Sequence, residues 1–107
     1  MGVSRFDVVD LQGTKITDDG LRHLEWLTGL KALDLSGTQI SGKGLEHLHK
    51  LTDLEYLYLS RTKVGDADLR HLKKLTNLRH LDVTGTAVTE EGVEEVKRHS
   101  PGVNVVW

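Results

Sequence analysis

The 107-residue chain contains no cysteine, one proline and few aromatic residues, which make up 5% of it. The absence of cysteine excludes disulfide bonds, thiolate metal ligands and a cysteine nucleophile. No apolar run approaches the ~20 residues needed to span a bilayer. Acidic and basic residues number 16 and 14 and are interspersed, so no basic block typical of nucleic-acid binding stands out. We expect a cytoplasmic protein with neither nucleic-acid nor membrane partners, unless it was excised from a longer secreted protein.

The sequence does contain an internal repeat of 24 residues. Threonine recurs at this step, as does the apolar residue three positions before it. The equivalent residues are Thr14, Thr38, Thr62 and Thr86, and Leu11, Leu35, Leu59 and Val83. A period between about 20 and 50 residues indicates a solenoid, in which each repeat buries its apolar face against its neighbours. We place a leader at 1–5, repeats at 6–29, 30–53, 54–77 and 78–101, and a terminal strand and cap at 102–107.

Each repeat has two halves with different apolar periodicity. In repeat two, Leu33 and Leu35 alternate with polar or small residues, which predicts a strand with one buried face. Later in the same repeat, Leu45 and Leu48 follow helical spacing, with charged residues between them. The sequence therefore predicts a parallel sheet along one face of the solenoid and short helices along the other.

Small polar residues and glycines mark the connections between these halves. Each strand is followed by the repeated threonine, whose hydroxyl can satisfy backbone groups that the turn leaves unpaired. A glycine precedes that threonine in three repeats, which suggests a positive φ, whereas repeat three has Arg61 there. Thr17, Ser41 and Thr89 stand where helix N-caps belong.

Together these residues resemble a leucine-rich repeat. Residues 33–40, LDLSGTQI, and 16–24, ITDDGLRHL, are similar to short bacterial repeats close to the cysteine-containing and ribonuclease-inhibitor-like subclasses. The resemblance implies one α/β domain, residues 6–107, a right-handed solenoid of four full repeats plus a fifth strand. It also implies a concave parallel sheet that binds a protein partner, convex helices, and no catalytic residues or cofactor. Arg61 and Asp68 depart from the pattern, since each replaces a glycine.

Repeat three is unusual on its predicted concave strand. It carries Tyr56 and Tyr58 where repeat two has Ala32 and Asp34. Tyrosine and arginine are enriched at the energetic centres of interfaces. The alternative interpretation is ordinary variation between repeats. The candidate partner-binding residues are Tyr56, Tyr58, Arg61, His80, Asp82 and Asp34.

Two further columns of polar residues invite chemical interpretations. His23, His47 and His71 share one helical position, but outward side chains in a straight column do not converge as zinc requires, so we predict no metal site. An aspartate column on the concave strands suggests a cation or an acid–base pair, or simply a mildly acidic surface. No nucleophile motif or phosphate loop accompanies it, so we predict no catalytic residue. This column comprises Asp10, Asp34 and Asp82.

The two ends of the solenoid lead to different expectations. We expect Trp107 to cover the last coil. The first strand, about 8–11, has a neighbour on one side only, with apolar Phe6 and Leu11 beside it. We therefore predict that a homodimer can form through this N-terminal edge strand. A structural or engineered self-associating scaffold, or a fragment of a larger leucine-rich repeat protein, is the alternative to a partner-binding module.

Overall fold

The computed structural model describes residues 7–107, which form a stack of coils, each with a strand, a turn and a short helical segment. Five strands make one parallel sheet in chain order, and each pairs with the next at a shift of 24 residues, as in Leu33 opposite Leu57. The predicted solenoid and its fifth strand are confirmed. The strands are β1 (Val8–Asp10), β2 (Ala32–Asp34), β3 (Tyr56–Tyr58), β4 (His80–Asp82) and β5 (Asn104–Val106).

The helical segments are shorter and tighter than the apolar spacing alone suggests. Two are single α-helical turns that continue as 3-10 turns, α1 (Asp18–Leu21, then Arg22–Leu24) and α2 (Gly42–Leu45, then Glu46–Leu48). The third is a 3-10 segment throughout, Asp66–Leu72, and α3 spans Glu90–His99. Short segments suit a coil in which the chain must return to the sheet every 24 residues. Among residues 7–107, no helix combines the length and apolarity needed to cross a membrane.

The core is a ladder of apolar side chains that runs through the coils. Leu33 and Leu57, the middle residues of β2 and β3, are completely buried. Their equivalent in the first coil, Val9, is only partly buried, because β1 is the first strand of the described sheet and pairs there with β2 alone. At the other end, Val103 is 6% exposed, whereas Trp107, expected to cover the last coil, remains 56% exposed. Val103 therefore supplies buried apolar surface at this end, and most of Trp107 stays accessible.

The turns after the strands follow one design. Each repeated threonine donates its hydroxyl hydrogen to the backbone carbonyl three residues earlier, for example from Thr38 Oγ1 to the Leu35 oxygen at 2.7 Å. The preceding glycine has a positive φ, 69° at Gly37. Arg61 adopts the same left-handed conformation, with a φ of 56°, although a side chain disfavours it. The structural interpretation of the threonine and glycine columns is confirmed.

The predicted N-caps behave differently from one another. Thr17 Oγ1 accepts a hydrogen bond from the Gly20 N–H at 3.3 Å, as a cap should. Ser41 makes no such bond; its hydroxyl donates to Asp18 Oδ2 of the preceding coil at 2.6 Å. The Thr89 hydroxyl likewise donates to the Asp66 carboxylate. Ser41 and Thr89 thus occupy N-cap positions, as predicted, but their hydroxyls are directed to a carboxylate of the preceding coil and make no capping hydrogen bond.

At the junction between the second and third coils, no aspartate stands at the position of Asp18 and Asp66. Asp18 and Asp66 have a glycine, Gly42, as their equivalent in the second coil. Asp68 supplies the carboxylate instead, because its Oδ2 accepts from the Gly65 N–H at 2.8 Å. The backbone N–H of residue 65 thus has the same kind of acceptor as that of Ser41, which donates to Asp18 Oδ1 at 2.7 Å. The departure at position 68 compensates for the one at position 42.

Candidate functional site

The open face of the sheet presents two rows of side chains, contributed by the first and third residues of each strand. The middle residues, such as Leu57, point into the core, so the two flanking residues face outward. Neighbours within a row belong to adjacent strands, which lie ~4.8 Å apart. The first row is Val8, Ala32, Tyr56, His80 and Asn104, and the second is Asp10, Asp34, Tyr58, Asp82 and Val106. Five of the six candidate partner-binding residues lie in these rows.

Tyr58 and His80 form the central aromatic contact of this face. Their ring centroids are 5.4 Å apart, and the ring planes are inclined by 46°. On its other side, His80 Nδ1 lies 3.2 Å from Asn104 Nδ2. When Asn104 donates, Nδ1 is the acceptor and the ring proton lies on Nε2. His80 is thus held between Tyr58 and Asn104, a contact that sequence reasoning missed although Asn104 is one repeat beyond His80.

Tyr56 is the more accessible tyrosine. It is 37% exposed and lies in register between Ala32 and His80. Because alanine is small, one side of the Tyr56 ring has little side-chain bulk in the adjacent strand. A partner can therefore reach the apolar ring surface from that side.

The aspartate column has a structural explanation. Asp34 Oδ1 accepts from the Ser36 N–H at 2.9 Å. Asp82 Oδ1 accepts from both the N–H and the hydroxyl of Thr84, at 3.0 and 2.7 Å. These bonds close the chain just after each strand and fix the orientation of each carboxylate. Asp34 and Asp82 consequently border the tyrosines as oriented acidic groups, and their recurrence does not itself point to catalysis.

Arg61 lies beyond the end of β3, at the rim of the sheet face rather than in its two rows. Its backbone N–H donates to the Thr84 oxygen at 2.8 Å. Its side chain lies across the neighbouring turns: Cγ is 3.2 Å from where a Cβ of Gly85 would be, and Nη2 is 3.6 Å from the corresponding point at Gly37. A Cβ on Gly85 would therefore crowd the arginine, whereas one on Gly37 would be at an ordinary contact distance. Within residues 7–107, no carboxylate forms an ion pair with this exposed guanidinium.

The histidine column makes a hydrogen bond between coils. His47 Nδ1 lies 2.8 Å from Glu25 Oε1. This bond lowers the pKa of Glu25 below its usual value of 4.5, and the charges of His47, Lys50 and His49 act in the same direction. In the part of the chain described, no three histidine, aspartate or glutamate side chains are arranged to hold a metal ion.

An open groove of about 350 Å³ lies beside the 3-10 segment and α3. It contains none of the candidate partner-binding residues. Arg98 at its edge is paired with Glu95 at 2.7 Å. Its lining residues are Asp66, Ala67, Glu91, Gly92, Glu94, Glu95 and Arg98.

Solved structures with a similar fold include several repeat proteins. The match to internalin C2 of Listeria monocytogenes has a TM-score of 0.76 and 28% identity, and covers 94% of this chain but 40% of that one. The match to a chain of the Chaetomium Mex67:Mtr2 subunits has a TM-score of 0.74 and 19% identity, covering 94% and 78%. The match to leiomodin-1 actin-binding site 2 has a TM-score of 0.73 and 15% identity, covering 95% and 69%. The last two likenesses show the fold alone.

The sequence comparisons identify the repeat directly. No curated protein sequence matches the chain. A family model described as leucine rich repeat matches residues 29–88, and a second one of the same description matches residues 8–24. Since the first match alone spans more than half of the sequence, the chain belongs to the leucine-rich repeat family.

Proposed function

We propose that this chain is a non-enzymatic protein-interaction module that binds its partner on the concave face of the sheet. The binding surface, called here the concave patch, comprises Tyr56, Tyr58, Arg61, His80, Asp34 and Asp82. The observation that carries the proposal is the contact between Tyr58 and His80, in register with the exposed Tyr56 on the open sheet face.

The concave patch has the features of an energetic centre in an interface. Aromatic side chains bury about 150–250 Å² each and dominate interface energetics. Tyrosine and arginine are the residue types whose truncation costs most, about 2 kcal/mol or more at the centre of an interface. Tyr56 and Tyr58 would supply the apolar contact, and Arg61 at the rim a charge-assisted hydrogen bond.

The patch is also held in place before a partner arrives. Tyr58 contacts His80, and the Asp34 and Asp82 carboxylates are oriented by backbone hydrogen bonds. Side chains that are already ordered lose little conformational entropy on binding, which favours affinity. Two proteins of similar fold support the general role: one is an assembly of Mex67 with Mtr2, and the other is an actin-binding site of leiomodin-1.

The test is affinity capture from a lysate with immobilised wild type and Tyr58→Ala, followed by calorimetry with the captured partner. Tyr58→Phe keeps the ring and serves as the matched variant, and Arg22→Ala changes an exposed residue away from the sheet. We expect Tyr58→Ala to weaken binding about 30-fold, corresponding to a hot spot of about 2 kcal/mol, while Arg22→Ala binds as wild type. Equal binding by Tyr58→Ala and wild type, with both folded, would contradict the proposal.

Self-association is a second candidate function, favoured by the flank of the first coil. There, Val9, Leu11 and Leu27 are only partly buried, whereas their equivalents in the second coil, including Leu33 and Leu51, are completely buried. Among residues 7–107, the backbone of β1 pairs with β2 alone, so its other edge is open with respect to these residues. A two-fold contact between two such flanks would shield both apolar surfaces. Phe6, which the sequence placed at this flank, lies outside the described residues.

A further inference from the structure

The 24-residue register brings basic residues together near the ends of the helical segments, outside the two rows of the sheet face. Where each helical segment ends and the chain turns back to the sheet, two adjacent positions carry most of them. Lys50 and Lys74 share one position with Trp26, and Lys73 and Lys97 share the other. We call these five residues the outer ridge. The net charge of the chain is −2, and basic and acidic residues are interspersed in the sequence. Stacking of the repeats nevertheless gathers these basic residues on one surface.

Within residues 7–107, the ridge lysines are not held in ion pairs. All four lysines of the ridge are exposed. None forms an ion pair with a carboxylate of the described chain, in contrast to Arg98, which pairs with Glu95 at 2.7 Å. Apart from the charge of Lys50, which favours the ionised form of Glu25, these ammonium groups are not engaged with carboxylates of the described chain.

Acidic residues occur at the margins of the ridge rather than at its centre. Glu25 holds the position of Lys73 and Lys97 in the first coil, where it binds His47. The second and fourth coils contribute the exposed residues Glu46, Asp53 and Glu94. In the third coil, residues 69–78 contain Arg70, His71 and two lysines and no acidic residue. Basic residues without acidic neighbours in sequence are thus most concentrated in the third coil.

Trp26 adds an apolar contact at one end of the ridge. Its side chain is 81% exposed. This exposure does not result from its place in the terminal coil, because Lys50 and Lys74 occupy the same position in inner coils and are exposed as well. The position itself faces outward, so the indole is available to a partner.

We propose that the outer ridge is a second docking surface, which takes an extended acidic segment of a partner protein with an apolar residue placed against Trp26. Adjacent coils are separated by ~4.8 Å at the sheet and by up to about 8–10 Å at packed helices. Alternate residues of an extended segment are about 6.6 Å apart, within that range. Acidic side chains at alternate positions can therefore each approach a lysine of successive coils.

Charge and shape favour this partner over other polyanions. A long nucleic acid would experience the field of the whole chain, which is not positive overall, whereas a short segment lies within about 10 Å of the ridge. A flat membrane would need cations spread over a plane, and the ridge lysines follow a line.

The experiment uses a synthetic, fluorescently labelled peptide with an N-terminal phenylalanine followed by alternating glycine and four glutamates, and a control peptide with glutamine in place of glutamate. The double variant Lys73→Glu/Lys74→Glu tests the ridge, and Lys15→Glu/Lys43→Glu is a charge-matched control at two exposed lysines elsewhere. We expect about tenfold weaker peptide binding for the ridge variant, less than about twofold for the control, and several-fold for Trp26→Ala. All substituted residues are exposed, so the folds should be retained.

Two sets of results would overturn the proposal. One is equal weakening by the two double variants, or no preference of the wild type for the glutamate peptide. The other is tighter binding of single-stranded oligonucleotides or anionic vesicles than of the peptide at matched charge. Tyr58→Ala, run in parallel, should bind the peptide as wild type does, which distinguishes failure at the ridge from failure of the concave patch.

Discussion

The Oδ1 atom of Asp68 lies 1.9 Å from the point where a Cβ of Gly42 would stand. The carboxylate of the third coil thus occupies the space that a side chain on the second coil would need. At the junctions on either side, Asp18 and Asp66 have a glycine of the following coil beside them: a Cβ on Gly44 or Gly92 would lie 2.5 or 2.1 Å from a carboxylate oxygen. At the junction between the second and third coils the arrangement is reversed: the glycine is on the earlier coil and the carboxylate on the later one.

This reversal predicts strong coupling between positions 42 and 68. Gly42→Ala should destabilise the protein by about 1–3 kcal/mol, because a methyl group cannot share the space with the Asp68 carboxylate. Asp68→Gly should cost about 1 kcal/mol through the lost bond to the Gly65 N–H. Gly42→Asp combined with Asp68→Gly should recover most of the loss, because the aspartate would then reach the Gly65 N–H from the second coil. A double-mutant cycle by urea unfolding measures the coupling, and purely additive effects would contradict it.

We expect Arg61 to lower the stability of the fold and to increase the affinity for a partner. Its φ of 56° is adopted easily by glycine, so Arg61→Gly should raise the free energy of unfolding by up to about 1 kcal/mol. Arg61→Ala keeps the conformational cost and should give no such gain. Both variants remove the guanidinium and should weaken partner binding. Thermal unfolding and calorimetry on the three proteins separate the effects, and a less stable Arg61→Gly would show that the side chain stabilises the turns.

Leu57→Asp should unfold the whole chain rather than one coil. Leu57 is completely buried in the central strand, and an unpaired carboxylate there costs several kcal/mol. That cost is comparable to the ~5–15 kcal/mol that stabilises a domain. Each coil depends on its neighbours, so the loss should propagate. Far-ultraviolet circular dichroism against temperature is the measurement; a variant that keeps the wild-type midpoint would disprove this view of the core.

The pH dependence of the Glu25–His47 contact follows from the lowered pKa of Glu25. A carboxyl whose pKa falls below 4.5 on folding stabilises the protein above that pH, and the contribution is lost as the pH drops through the lowered value. NMR titration should show a Glu25 midpoint below 4.5 in the wild type and closer to 4.5 in His47→Gln. Glu25→Gln should reduce stability more at pH 6 than at pH 3. The opposite order would show that the hydrogen bond does not form in solution.

Self-association through the first coil should depend on concentration. Light scattering well above micromolar concentration should detect a dimer of the wild type. Leu27→Lys changes a partly buried residue of the flank and should return the protein to a monomer, with circular dichroism confirming that it remains folded. A wild type that is monomeric throughout would exclude this candidate function.

Much of the architecture is predictable because the same residue types recur at equivalent positions in several repeats. The leucine ladder, the threonine turns and the positive φ of Gly37 follow from spacing alone. The sequence also singles out Tyr58, His80 and Arg61, but their geometry depends on the register of β3 and β4. The contact of His80 with Asn104 joins two coils and leaves no local signal.

Other features escape sequence reasoning because one residue has two possible partners. Ser41 stands at an N-cap position, yet its hydroxyl donates a hydrogen bond to the Asp18 carboxylate and makes no capping bond. In the sequence Asp68 is an isolated departure from the pattern, and its compensation of Gly42 becomes visible only when the coils are stacked. Such choices are decided by competition between neighbouring coils, which a periodic pattern does not record.

The reversed arrangement at the junction between the second and third coils also limits how this solenoid can lengthen by internal duplication. A second copy of the third coil, placed directly after the first, would set Asp68 beside Asp66, where Gly92 now leaves room. Two carboxylates would then compete for one space. A duplicate of the second coil would instead bring two glycines together and leave a backbone N–H without its acceptor. Copying the second and third coils together avoids both mismatches, because each carboxylate then meets a glycine across the new seam.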